Sequence, residues 1–447
     1  METMVENIWS KSKLLVKALI IGTLVLLLQI PTFYIKELIR EREQRQREAI
    51  TEVSSRWAGR QNIAGPVLVL PYWQYETDTA SSGKRSKQFG TFLPDDLKIQ
   101  SQVRPEERYR GIYKVMLYTS KIDIRGSYQS IPLSKLNINP ENVIWEEAFA
   151  HISLSDLKGL NNEPKLNWNG QAHSMTTDPV DNWPSNDMIH VKIPINASTA
   201  SQRIEFATQL DIAGSEQLLF TPVGKTTTVS MQGKWPHPSF TGSMLPSHEV
   251  RKDSFHAEWK AVAQKRSFPQ QWKNNAFIVA PFDARTTAAA PNNITMEAFG
   301  TDLFVPVNGY QKTMRTIKYA ALCILLTFAA FFLVETTNRR SVHPLQYGLV
   351  GLALVLFYTL LLSFSEYIGF NPAYAIASVA TIGLIAWFVK GIMGSARLTV
   401  ILSVVLFLMY TYVFTILQLQ DYSLLLGSLG LFITLAVIMH YSKKIQW

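Results

Sequence analysis

The sequence predicts a membrane protein in three parts: an N-terminal signal-anchor helix, a large all-β, sandwich-like extracytoplasmic domain, and a C-terminal five-helix transmembrane bundle, giving six spans. Three observations predict it. Apolar residues are concentrated in residues 14–35 and 319–441, whereas residues 36–314 have the balance of an aqueous domain. That middle stretch alternates apolar and polar residues with period two. The basic residues of the short connectors fall on alternate sides of the apolar runs.

The net charge of +9 is the first thing to place, since a basic protein can be a nucleic-acid binder. Residues 36–314 carry 32 Lys and Arg against 29 Asp and Glu, and the remainder carries 11 against 5. The excess sits beside apolar segments, which is the signature of membrane topology, and no nucleic-acid partner is expected. A single cysteine, Cys323, excludes an internal disulfide and a cysteine-based zinc site.

The first apolar run, LLVKALIIGTLVLLLQIPTFYI at 14–35, is long enough to span a bilayer, for which about 20 residues suffice. It exceeds a signal-peptide core, and KELIREREQRQREAI follows it in place of a small-residue cleavage site, so an uncleaved anchor is expected. Lys11 and Lys13 precede it. Lys17 is expected to snorkel to the interface, and Pro31 to kink the helix. Residues 36–60 read as a helical stalk continuing outward, with Glu and Arg interleaved on a solvated face.

After Gly65 the texture changes. PVLVLPYW, GIYKVMLYTSKIDIRGSY, IHVKIPINAS, IEFATQLDIAGSEQLLFTP and TTTVSMQGKW are β-branched and aromatic, and Gly, Pro and Asn punctuate them. This pattern predicts many short strands in one sandwich or in two packed together. TASSGKRSKQ at 79–88 reads as a polar loop, and 160–187 and 264–295 as loop-rich.

Five more apolar runs occupy 319–335, 346–364, 372–389, 398–418 and 422–441. Arg339 and Arg340, then Lys390 and Arg397, then Lys443 and Lys444 mark one side; Glu366 and Asp421 mark the other. Positive-inside reasoning puts both termini in the cytoplasm and the domain outside. Lys36, Arg40, Arg42, Arg45 and Arg47 follow the first run on the outer side and argue the reverse, but long domains translocate largely regardless of charge. The run 372–389 is rich in Ala, Ser and Gly and is expected inside the bundle. No broken-helix pair or inverted repeat of the transporter kind is visible.

The eight histidines make no HExxH pair, and His237, His248 and His256 match no standard metal spacing, so no metal or other cofactor is expected. GKTTT at 224–228 lacks the leading glycine of a phosphate loop, and SSGK at 81–84 lacks its partner strand motif. Asn196 and Asn293 open glycosylation-type triplets, relevant only in a eukaryotic secretory host. In KWPHPSFTGSMLP at 234–246, two prolines hold Trp235 and His237 extended. This stretch is either a stiff strand exit with Trp235 and Phe240 in the core, the favoured reading, or a rigid loop presenting His237 to a ligand. Glu335 and Glu366 are candidates because carboxylates in spans are expensive, although each sits near an interface where water is expected. His343, in the connector TTNRRSVHPL, joins them.

GPVLVLPYW at 65–73, FLPDDLKI at 92–99, RYRGIYKVMLY at 108–118, WPHPSFTGSMLP at 235–246 and KYAALCILLTFAAFFLVETTNRRSVHPLQYGLVGLALVLFYTLLLSFSEYIGF at 318–370 resemble the CreD family of bacterial inner-membrane proteins nearly end to end. The resemblance implies one anchor helix, a periplasmic domain and a helical bundle. It also implies a role in envelope integrity, within a two-component regulon responsive to carbon source and, in some species, to β-lactams. It hands down no catalytic residue. The expected function is therefore a non-enzymatic inner-membrane protein that supports the envelope and its stress response. Its partners would be the lipid bilayer and an envelope protein or ligand, with oligomeric state open. The alternatives are an envelope hydrolase or peptidoglycan-modifying enzyme using His237, Asp253 or Glu258, and a transporter or lipid-handling bundle using Glu335 or Glu366.

Overall fold

A computed structural model describes residues 16–75, 85–183, 188–279, 292–303, 309–337, 342–419 and 423–442. Lys11, Lys13, Arg339, Arg340, Lys443, Lys444 and Asp421 lie outside the described residues, as does most of the 79–88 loop. The chain divides into two compact units, Glu48–Pro306 and a helical unit formed by Met1–Arg47 with Val307–Trp447.

Helix α1 runs Val16–Trp57, so the anchor and the stalk read separately from the sequence are one 42-residue helix. Its irregularity falls at Leu28. Pro31 has no N–H to offer the preceding turn. The Thr32 N–H to Leu28 carbonyl bond is stretched to 3.4 Å, and Thr32 Oγ1 donates to the same carbonyl at 2.8 Å. Farther along, Arg45 pairs with Glu41, Arg47 with Glu43 and Arg56 with Glu52, each one turn apart.

Among the described residues the β unit contains sixteen strands: β1 (Gln61–Tyr75), β2 (Arg85–Phe92), β3 (Asp96–Arg110), β4 (Tyr113–Tyr128), β5 (Phe149–Leu154), β6 (Lys165–Trp168), β7 (Gln171–Ser174), β8 (Met188–Lys192), β9 (Ile204–Ser215), β10 (Gln217–Phe220), β11 (Thr226–Gly233), β12 (Pro238–Gly242), β13 (Ser247–Val250), β14 (Phe255–Val262), β15 (Gln271–Lys273) and β16 (Phe299–Leu303). They form two eight-stranded sheets. The first has the order β12-β16-β10-β1-β2-β15, with β5 also on β1 and β8 on β5; the second runs β13-β14-β11-β3-β4-β9-β6-β7. The pairings β1–β10 and β3–β11 are parallel and the other strand pairs antiparallel.

Alternation builds the interior. In β14 the buried residues are Phe255, Ala257, Trp259 and Ala261, with exposed residues between them. Leu68 and Phe220 of the first sheet and Ile122 and Trp259 of the second belong to one apolar core, so the unit is a single sandwich. Trp259 of β14 stacks on Phe299 of β16 at 5.7 Å, joining the two sheets directly. Strand β1 departs from alternation because it is covered on both sides: Leu68 and Leu70 enter the main core while Val69 enters a second cluster. The stretch 160–187 is less irregular than its composition suggests. Asn169 (φ 48°) and Gly170 (φ 85°) make the tight turn between β6 and β7, the Asn-Gly chemistry that suits a two-residue hairpin.

The helical unit continues with α2 (Gly309–Lys318), α3 (Ala320–Thr337), α4 (Pro344–Ile368), α5 (Phe370–Met393), α6 (Ala396–Gln418) and α7 (Ser423–Ser442). Among the described residues α1, α4, α5 and α6 are each long and apolar enough to cross a membrane; α2 and α3, bent by 45°, make a fifth crossing if they are one broken span. This bend is a feature the sequence reading did not anticipate. Its source is local: Thr313 and Thr316 hydroxyls donate to carbonyls one turn back at 2.9 and 2.8 Å, and Tyr319 N–H closes a tighter bond to Thr316 O at 3.1 Å. Such back-bonding loosens a helix. Helix α5 buries its small-residue seam of Ala373, Ala377 and Thr381 but leaves Val379 and Trp387 exposed, so only one face of it is interior.

Candidate functional site

The most developed polar chemistry in the helical unit lies on the two candidate carboxylates. Glu335, in the last turn of α3, is 6% exposed. Lys17 of α1 forms an ion pair with its Oε1. The Val342 N–H donates to Oε1 at 2.9 Å, and the Tyr347 hydroxyl of α4 donates to Oε2 at 2.7 Å. Lys17 also donates to the Val342 carbonyl at 2.7 Å and lies over the Tyr347 ring. A carboxylate taken from water must recover its hydrogen bonds from the protein, and here three donors from three segments supply them. One expectation is corrected: Glu335 is covered by protein donors instead of being open to water, and the Lys17 ammonium is held by Glu335 and the Val342 carbonyl.

Glu366 closes α4 and is also largely covered, its side chain 10% exposed. It accepts a hydrogen bond from the Tyr310 hydroxyl of α2 at 2.9 Å, and Arg42 Nε of α1 approaches to 3.9 Å. Water access is again replaced by protein partners. Lys17 and Arg42 lie on α1 about 37 Å apart at 1.5 Å per residue, a little more than the roughly 30 Å hydrocarbon core of a bilayer. The two carboxylates therefore hold α1 near both ends of its apolar stretch, each through a cation of α1 and a tyrosine of another helix.

The other sequence candidates have plainer roles. His343 caps α4: its Nδ1 accepts from Leu345 N–H at 3.2 Å, and Gln346 returns a bond to the His343 N–H at 2.9 Å. Lys390 lies in the last turn of α5 and is exposed, where it complements the helix dipole. Arg397 is exposed in the first turn of α6. Trp235 is buried in the sandwich core, and its Nε1–H donates to the His237 carbonyl at 3.0 Å. The His237 imidazole itself is exposed. Phe240 packs against Trp259 at 5.8 Å and Phe255 at 6.3 Å. His237, Asp253 and Glu258 are all exposed, and none is hydrogen-bonded to another. Among the described residues no group of three His, Cys, Asp or Glu side chains is placed to hold a metal ion.

Sequence reasoning missed Tyr310, Tyr347 and Arg42 as carboxylate partners, and it missed His151 and His190, two buried imidazoles in the β unit. Tyr347 carries a local signal, standing one helical turn beyond His343 at the start of an apolar run. Tyr310 carries none beyond the amphipathic spacing of α2.

Comparison with known proteins follows the same outline. The family described as Inner membrane protein CreD matches residues 13–447. A relative named Inner membrane protein CreD from Escherichia coli (strain K12) is 30% identical over 432 residues, covering 95% of this chain and 91% of the relative. The geometry has apolar helices before and after a large β-rich unit in the chain, the match is to an inner-membrane protein, and the chain belongs to the CreD family.

Proposed function

We propose that this chain is a six-span inner-membrane protein with both termini in the cytoplasm and the β unit in the periplasm. On this reading it supports envelope integrity and the stress response by contacting an envelope partner or ligand, without turning over a substrate. The observation that carries the reading is the way α1 is held. Glu335 and Glu366 spend their hydrogen-bonding capacity on Lys17, Tyr347, Tyr310 and Arg42, helix to helix. A carboxylate used to fasten helices is a poor relay, because moving its proton or its partner loosens the bundle. The helical unit is on this view an anchor, and α1 carries the chain on into the sandwich fold.

Topology is tested with reporters that fluoresce only in the cytoplasm or are enzymatically active only outside it, inserted after Gly170 in the β6–β7 turn. External activity alone is expected; cytoplasmic fluorescence overturns the orientation. The role of the carboxylates is tested with the pair K17E/E335K in a strain whose envelope defect the wild-type gene complements. Charge reversal that keeps the ion pair should retain complementation if the pair is a fastening. Loss of complementation at normal protein level assigns Glu335 a direct part in transport or catalysis.

A further inference from the structure

The outer face of the first sheet carries a second apolar cluster of Val69, Phe89, Phe149 and Met188, with Val180 and Trp183 packed against it. His151 of β5 and His190 of β8 are direct cross-strand partners, so their side chains rise side by side from one face. His151 is 1% exposed and His190 7%. Both ring nitrogens of His151, Nδ1 of His190 and Nε1 of Trp183 have no hydrogen-bond partner among the described residues. Buried polar atoms are almost always paired, and each orphan is a standing cost that contact with water would relieve.

The cover over this pair is the segment Thr176–Trp183. The Trp183 ring stands 5.5 Å from His151, 5.4 Å from Phe149 and 5.3 Å from Phe89. One reciprocal pair of 2.8 Å backbone bonds between Thr176 and His190 ties the segment to β8. Met175, just before it, is anchored in the main core, so the cover can lift while its root stays put. Burial holds His151 down to about 3, with His190 adding to the effect. Burial also lowers His190, where Asp178 of the cover opposes and Lys192 of β8 assists. The cover also carries Asp181, which is exposed, and Lys87 and Glu147 pair with each other two residues along from Phe89 and Phe149. Strand β1 contributes Val69 and no charge. Residues 184–187 lie outside the described residues.

We propose that His151 and His190 are an acid-operated latch: protonation of the pair lifts Thr176–Trp183 off the sheet and uncovers Val69, Phe89 and Phe149 while the sandwich core stays folded. The cluster is separate from the main core, and this separation is what permits a local opening. The imidazolium that the closed nest rejects is hydrated once the cover lifts.

The test is hydrogen exchange read by mass spectrometry on the full chain in lipid nanodiscs, at pH 7.5 and pH 5.0, with intrinsic rates corrected. Amides of 177–183 are expected to lose protection by roughly tenfold or more at pH 5.0, while β4 and β9 keep theirs. The H151F variant keeps an aromatic ring among Phe149 and Trp183 and should hold the cover closed at both pH values. Equal protection of 177–183 at the two pH values in the wild type overturns the proposal. So does acid opening that spreads through β4 and β9 together, since that is global unfolding. A folded H151F that opens like the wild type also overturns it; should H151F fail to fold, the wild-type comparison decides alone.

Discussion

The two units bury polar groups in opposite ways. In the helical unit Glu335 is nearly inaccessible yet meets Lys17, Tyr347 and Val342. In the β unit His151 is more deeply buried and meets no hydrogen-bond partner at either ring nitrogen among the described residues. The difference follows from what each group can do when unpaired. A carboxylate or ammonium cannot enter an apolar interior alone, so its partners must be built in. An imidazole has a cheaper route: it stays neutral. Neutrality therefore makes the second site sensitive to acid.

The largest expected effect breaks the paired side of the comparison. Glu335→Ala strands Lys17 between α1 and α3 and should cost about 3–5 kcal/mol, read as equilibrium unfolding in micelles or as lost protein level. The double variant K17M/E335L removes both charges and should recover part of that loss, because no unpaired charge remains although the Val342 N–H and the Tyr347 hydroxyl lose their acceptor. If the double variant is as damaged as the single, Glu335 matters for something other than Lys17.

The next effect breaks the unpaired side. His151 has a folded value near 3 against 6.5 for the free group. The unfolded or opened form therefore binds the extra proton between those values. Stability is fully present above about pH 6.5 and falls as the pH drops toward 3. From pH 7.5 to 5.0 the loss from His151 should be about 2 kcal/mol, leaving in H151F only the smaller share of His190. An H151F chain with the same slope would place the acid sensitivity on other groups.

The sequence displayed some of this and concealed the rest for identifiable reasons. The aqueous block and the apolar runs were legible because hydrophobic period and run length are local properties. The sandwich was legible in TTTVSMQGKW and IEFATQLDIAGS for the same reason. The Glu335 partner was not, since Lys17 is 318 positions away and nothing local couples them. The His151–His190 pair was hidden differently. Both sit in short strands where alternation marks Ile152, Ile189 and Val191 as interior, so the opposite face reads as solvent. Only the covering segment, which composition marks as loop, turns that face into an interior. The α2–α3 bend was legible in retrospect from the threonines at 313 and 316, three apart.

The smallest effect tests where the charged stretch of α1 belongs in this comparison. Arg45 and Glu41 pair at 2.7 Å with side chains 59% and 53% exposed. Water competes for both groups, so the pair should contribute only about 0.3–0.5 kcal/mol, and less at high salt. Glu41→Ala is expected to shift unfolding by no more than that, at low salt, with the shift gone near 1 M salt. A cost above about 1 kcal/mol, or one that salt leaves unchanged, means that Glu41 is covered in the intact membrane. Lipid headgroups or a second protein would then face this side of α1, and the stalk would belong with Glu335 and Glu366 among the groups that need a partner.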